Sequence, residues 1–216
     1  CPVMPGLQDL DTNAIPNEGR TKMRSKTMNR TMKVCSIVLG LAGSVLSKNY
    51  YLDTTGLATN SGTDTASPWK SVAQMKAKIT LAKGDSILFK RGQTFKDSLF
   101  VTTSGIVVSS YGPSSLPRPT ISSPGRVIVV SRATDVTIQR LGLKDGRGGC
   151  VELWDSTVAN IVVQDNEMWN CGGGVYATGS NIRVLRNFIH DGKMVVNTQG
   201  AKGTVAGDDD YGASGI

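Results

Sequence analysis

The sequence predicts an all-β solenoid of short strands stacked coil upon coil, and three observations predict it. The segments VTIQRLGLKD (136–145), IVVQDNEMWN (161–170) and IRVLRNFIHD (182–191) repeat one pattern. The first apolar residue recurs after 25 and then 21 positions, with apolar residues at the first, third and eighth places and Asp or Asn at the tenth. A short β-type run precedes each pass, at 126–130, 151–154 and 175–178, and Gly, Ser, Asn and Asp fill the spaces as turn residues do. A repeat of about 20–25 residues without helical spacing marks a solenoid of strands.

One repeat cannot bury its own apolar residues. Stacked coils can, because equivalent strands align in parallel about 4.8 Å apart and turn the same side chain inward at each level. Val136, Ile161 and Ile182 are expected in one inward column, and Leu143, Met168 and Ile189 in another. The sixth place holds Asn166 and Asn187, with Leu141 there in the first pass. Asn tolerates the left-handed backbone of a tight corner, and its amide can bond to the coils above and below. An antiparallel β-sandwich also spaces short strands regularly, but it does not require apolar residues in register at constant coil length.

On these residues the chain resembles the right-handed parallel β-helix of the pectate-lyase-like superfamily, in which Asn ladders line one corner. The resemblance covers roughly residues 49–216. The string PWKSV followed by LAKGDSILFKRGQTF (68–95) looks like the opening of secreted bacterial β-helix proteins that act on polysaccharides.

From the N-terminus, residues 1–33 carry Arg20, Lys22, Arg24, Lys26, Arg30 and Lys33 with almost no apolar periodicity. An apolar run at 34–46 follows, too short to span a bilayer comfortably, and small residues succeed it as at a cleavage site. Residues 1–47 are expected to be a leader, translated from Met28 or Met32. They would direct a mature chain beginning near Lys48 to the extracellular space or periplasm. Cys35 at the front of the apolar run argues against a lipid anchor, and a buried strand is the alternative reading. The chain carries a net charge of +7, or +4 without the leader, and lacks blocks of like charge with interleaved aromatics. That gives nucleic-acid binding no support and suits an anionic polysaccharide equally well.

Residues 49–53 read as a strand. Ser67 before Pro68 is a helix N-cap signal. Val72, Met75 and Ile79 form a helical stripe, and Gly84 stops it. An amphipathic helix here would cap the open end of the solenoid, where unpaired strand edges invite association. Runs at 83–92, 93–95, 98–101 and 106–112 follow, a Gly-Asp turn leading into the first full coil, with the prolines of 113–119 in a corner. The chain ends on Gly215 and Ile216, which could open another coil, so further coils are expected beyond it. Cys150 and Cys171 lie 21 residues apart. They could bridge adjacent coils in an exported protein, although their offset in the aligned repeats slightly favours unpaired corner residues. No Cys or His spacing resembles a zinc site.

Chemistry is expected around the third pass. His190, the chain's single histidine, Asp191 and Lys193 precede residues 194–196, read as the first strand of the next coil. A Gly-rich insertion at 197–211 then carries Asp208, Asp209 and Asp210. The superfamily resemblance implies a substrate groove along the sheet of first strands. It favours a polysaccharide lyase that removes the proton α to a uronate carboxylate. Ca²⁺ held by Asp208, Asp209 and Asp210 would neutralise that carboxylate, and Lys193, His190 or Arg186 would act as base if neighbours lower its pKa. Asp191, Arg183 and Tyr211 are the candidate substrate contacts.

A glycoside hydrolase instead needs two carboxyl groups about 5–5.5 Å or 6.5–9.5 Å apart. The polygalacturonase motif is broken here, because Gln199 stands where Asn197 and Thr198 should be followed by Asp. Set against these readings, three consecutive Asp are often only solvated, and His190 and Asp191 could be a structural pair; Trp154 and Trp169 could stack on sugar rings if exposed, but their strand-like runs favour packing or partial burial. A non-catalytic adhesin or glycan binder on the same fold is the alternative from another class. The protein is expected to act as a monomer.

Overall fold

The computed structural model of the protein describes residues 46–195 together with Tyr211 and Gly212. The chain divides into the units Cys1–Ala42 and Gly43–Ile216, and the described residues all belong to the second. Apart from Leu46 and Ser47, the expected leader lies outside the described residues.

Strand β1 (Asn49–Leu52) and helix α1 (Val72–Lys78) come first. Each coil then lays down three strands. These are β2 (Ser86–Lys90), β3 (Thr94–Lys96) and β4 (Leu99–Val101); β5 (Val107–Tyr111), β6 (Thr120–Ser122) and β7 (Ile128–Ser131); β8 (Thr137–Gln139), β9 (Gly142–Lys144) and β10 (Gly149–Trp154); and β11 (Ala159–Gln164), β12 (Glu167–Trp169) and β13 (Gly173–Ala177). Strands β14 (Ser180–Leu185) and β15 (Phe188–His190) begin a fifth coil. Sheet 1 stacks β4, β7, β10 and β13; sheet 2 stacks β1, β2, β5, β8, β11 and β14; sheet 3 stacks β3, β6, β9, β12 and β15. All pairings within these three sheets are parallel. The protein is therefore a parallel β-solenoid of about four complete turns, and the antiparallel sandwich is ruled out.

The register places the apolar columns inside. In sheet 3, Phe95, Ile121, Leu143, Met168 and Ile189 stand directly over one another. In sheet 2, Ile87, Val108, Ile138, Val163 and Val184 do the same. Ile161 pairs with Ile182, and Val136, one residue before β8, lies buried on the preceding level. Sheet 1 adds Leu99, Ile128, Val151 and Val175. The first four members of each column are buried, and Ile189, Val184 and Ile182 at the last level are partly so.

The corners correct one expectation. Left-handed backbone falls at the fifth place of the repeat, on Arg140, Asp165 and Arg186 (φ 59°, 56° and 51°), not on the Asn of the sixth. It recurs just before β8, at the start of β11 and in β14, on Asp135, Asn160 and Asn181, and at the tenth place on Asp145, Asn170 and Asp191. Freed from turning the chain, Asn166 serves as a hydrogen-bond rung. It is 1% exposed. Its Nδ2 donates to Ile138 O and to Asn187 Oδ1, each at 3.0 Å, while its Oδ1 accepts from Leu141 N at 3.1 Å. Asn187 Nδ2 continues the ladder to Val163 O at 2.8 Å. A second, exposed ladder runs from Asn181 Nδ2 to Asn160 Oδ1 at 2.7 Å, and from Asn160 Nδ2 to Asp135 Oδ1 at 3.1 Å.

Three further expectations change. Helix α1 has Ser71, not Ser67, as its N-cap, with the Ser71 hydroxyl accepting from Gln74 N. The start is delayed because Trp69 is tied to β1 in a parallel bridge with Leu52, and Asp97 Oδ2 takes the first helical N–H, Val72, at 2.7 Å. The helix buries Val72 and Met75 and ends at Ile79 in extended backbone, well before Gly84. Strand β16 (Met194–Val195) does not stack on β13; it pairs antiparallel with β17 (Tyr211–Gly212). An antiparallel pair can be closed by its own intervening segment, whereas a parallel one needs a crossover. Finally, Cys150 and Cys171 form a disulfide with Cα atoms 5.6 Å apart, so the slight preference for unpaired cysteines is overturned.

Two predictions follow from the corners. Asn166→Leu strands the Leu141 N–H and the Ile138 carbonyl, each at a cost of about 1–3 kcal/mol, so its urea midpoint should fall well below that of an exposed-ladder variant such as Asn181→Ala. Reducing Cys150–Cys171 should lower stability by about 3 kcal/mol through release of the enclosed loop, read as a drop in midpoint on adding reductant.

Candidate functional site

Alternation along β10 builds the site. Val151 and Leu153 point into the core, so Glu152 and Trp154 point outward from sheet 1. Register sets Tyr176 of β13 beside Glu152, and Arg126 reaches in from the corner before β7. With Arg147 and Gly148, these residues line an open cleft of about 490 Å³. Glu152 is the organising group, with its side chain 4% exposed. Its Oε2 accepts from Trp154 Nε1 at 2.7 Å and lies 3.2 Å from Arg126 Nε. The Arg126 guanidinium carbon stands 4.5 Å from the centre of the Trp154 ring, within cation–π range. Trp154 remains 49% exposed, the partial burial expected of it.

The glycines at the starts of these strands are part of the construction. A Cβ at Gly148 would lie 2.4 Å from Glu152 Oε1, and one at Gly173 would lie 2.3 Å from the Tyr176 ring. Side chains there would push both groups from their places. Around the neighbouring corner, Lys96, Asp97, Ser98, Ser122 and Asp145 border a second open cleft of about 640 Å³. Burial pushes the Asp145 carboxyl up, but hydrogen bonds from Ser122 and Asn170 and the charge of Lys144 outweigh it and hold the group below its ordinary range.

The residues singled out by sequence fall elsewhere. His190 ends β15, on the outer face of sheet 3. Its ring stacks on Trp169 (centroids 5.9 Å apart, planes 6° apart) and on Phe188 (4.4 Å, 25°). Nδ1 is 2.8 Å from Asp191 Oδ2, while Nε2 lies 3.4 Å from Glu167 Oε1, near enough to pair as charges but without hydrogen-bond geometry. The bond to Asp191 raises the imidazole pKa above its ordinary value; desolvation opposes this and Glu167 assists it. Lys193 is exposed, and its backbone N–H donates to Cys171 O at 2.7 Å. Arg186 lies at the opposite end of β15, forked onto Asp165 at 2.7 and 2.8 Å. That hydrogen bonding raises its pKa, the reverse of what a general base requires. Arg183 is exposed on β14, in sheet 2.

The structure thus brings His190 and Asp191 together and separates Arg183 and Arg186 from Lys193. Asp208, Asp209 and Asp210 lie outside the described residues, as does the Tyr211 side chain. No group of three or more potential metal ligands occurs among the described residues, and no helix among them is long and apolar enough to cross a membrane.

No protein-family model matches the sequence, and no curated protein matches it. Among solved structures, the chain is similar to a selenomethionine derivative of the GH136 lacto-N-biosidase from Eubacterium ramulus, at 15% identity and a TM-score of 0.48, over 64% of this chain and 34% of that one. The native form of that protein gives 13% identity and a TM-score of 0.42, over 66% and 36%. The match spans about a third of the length of those chains. The assignment of the fold stands on the strand register, independently of this likeness.

The imidazole geometry carries a prediction. Because folding raises the His190 pKa, its pairing stabilises the protein fully below the unfolded value of about 6.5 and is lost as pH rises through the folded value. As the sequence holds a single histidine, one imidazole resonance should titrate above about 6.5 by NMR, and Asp191→Asn should move it down. A midpoint unmoved by that substitution would show that the Asp191 contact is not formed in solution.

Proposed function

We propose that the protein is a carbohydrate-active β-helix protein that binds an anionic, uronate-containing polysaccharide in the cleft of sheet 1 and cleaves it by β-elimination. The observation that carries the proposal is the half-exposed Trp154 held beside Arg126, with Arg147 on the same cleft. A flat indole offers a sugar ring an apolar face, and guanidinium groups match carboxylate geometry. The cleft also lies on the sheet along which the superfamily resemblance implies a groove. Membership of the pectate-lyase-like superfamily, a right-handed coil, a secretory leader, an end-capping role for α1 and a monomeric state are parts of the same proposal.

In β-elimination the substrate carboxylate must be neutralised, the α proton abstracted and the leaving oxygen expelled. Arg126 and Arg147 are suited to the first task. Lys193 is the candidate base. His190, its pKa raised by the bond to Asp191, is suited to holding a proton. A bound Ca²⁺ at Asp208, Asp209 and Asp210 would supply further charge neutralisation.

A hydrolase would need two facing carboxyl groups, and among the described residues bordering this cleft Glu152 alone carries one, already bonded to Trp154. That same engagement favours a second reading, a glycan binder without catalysis.

Incubation with pectate, alginate or glycosaminoglycans should release unsaturated products detectable by ultraviolet absorbance, with loss of the signal on chelation if Ca²⁺ takes part. Trp154→Ala should reduce the rate by about tenfold or more, the order expected for a stacking contact. New reducing ends without unsaturation would replace the lyase with a hydrolase. Retention on a glycan column without any product would leave the binding reading alone.

A further inference from the structure

We propose that Glu152 is a positioning residue which locks Arg126 and Trp154 into one preassembled clamp, and that this clamp selects sugar units bearing an anionic substituent. The inference rests on the reading of the cleft as a glycan site and adds what sets its selectivity. One buried carboxylate oxygen, Glu152 Oε2, meets both the indole N–H at 2.7 Å and Arg126 Nε at 3.2 Å. The ring edge and the guanidinium plane are thereby fixed before a ligand arrives, which removes part of the ordering cost of binding. With Nε standing 3.2 Å from Glu152 Oε2, Arg126 also carries two terminal nitrogens. Two parallel N–H donors fit a carboxylate or a sulfate.

Charge points the same way. Glu152 balances one of the two guanidinium groups on the cleft, so Arg126 and Arg147 together leave an excess of positive charge toward solvent. The absence of a side chain at Gly148 is what allows the carboxylate its position, since a Cβ would stand 2.4 Å from Oε1. The clamp can therefore be disturbed in two unrelated ways, by neutralising Glu152 or by crowding it.

The test uses the full chain and three probes: polygalacturonate, the same polymer with its carboxyl groups reduced to alcohols, and dextran sulfate. Dissociation constants are read from quenching of tryptophan fluorescence, and melting temperature is followed in parallel. The wild type should prefer at least one anionic polymer over the reduced one by about tenfold, the scale of one charge-assisted hydrogen-bond pair; comparison of the two anionic polymers identifies the substituent. Glu152→Gln keeps an acceptor for the indole but lacks the charge that orients Arg126. Glu152→Gln should retain affinity for the reduced polymer and lose most of the preference; Gly148→Ala, which displaces the indole's acceptor as well, should lose most of the preference and weaken binding of the reduced polymer too.

A preference unchanged in Glu152→Gln overturns the proposal. So does an equal loss of affinity for both polymers in Glu152→Gln, which would mark Glu152 as merely structural. If the wild type binds the reduced polymer as tightly as both anionic ones, the clamp fails while the glycan reading survives. If it binds none of the three, the glycan reading falls and the clamp with it.

Discussion

Every strand of a coil gives its backbone N–H and C=O groups to the coils on either side, and this parallel ladder is the constraint from which the remaining structure follows. Once residue i of one coil is paired with its equivalent in the next, inward and outward positions are decided for the whole stack, because side chains alternate with a period of two. The columns through Ile138 and Leu143 are one result. The row of outward residues on sheet 1, where Glu152 meets Tyr176, is another. A slip by one place would expose the core and bury the cleft together.

Ladders need corners, and the corners are where polar side chains replace hydrophobic packing as the source of order. Left-handed backbone is strained for most residues, at a cost of about 1 kcal/mol. Asp135, Asn160 and Asn181 offset that cost by bonding from level to level. Asn166 works differently. It lies inside the wall and satisfies backbone groups that the turn would otherwise strand in an apolar interior. Removing a rung of the outer ladder exposes groups to water, while removing Asn166 leaves them without any partner.

Much of this was legible from periodicity. The first- and eighth-place columns, the three strands per coil and the Asn166–Asn187 ladder all follow from residue types that recur at coil spacing. What periodicity cannot reveal is a contact between non-equivalent places. Cys150 lies within β10 while Cys171 precedes β13, so their bridge runs diagonally and looks misaligned when the repeats are superposed. The Arg126, Glu152 and Trp154 cluster escaped for a similar reason, since it joins a corner of one coil to a strand of the next and does not recur. Its signal was the glycine content at the starts of β10 and β13, at Gly148, Gly149 and Gly173, where neighbouring side chains fold close over the backbone. Equally, a Trp faces the same side as an inward Val only when an even number of places separates them; Trp154 is three beyond Val151 and faces out.

The two spacings of the repeat, 25 and 21 residues, differ mainly at one bend. Leu153 and Ala177 are register partners, as are Ile161 and Ile182, yet eight positions separate Leu153 from Ile161 and only five separate Ala177 from Ile182. The tube thus accommodates extra chain between sheets 1 and 2 as an outward bulge, with the wall beneath unchanged. That bend borders the Trp154 edge of the cleft, so the length of chain inserted there can reshape the rim while the scaffold stays constant. It is a natural place for grafted loops, and for relatives on the same scaffold to diverge in what they hold.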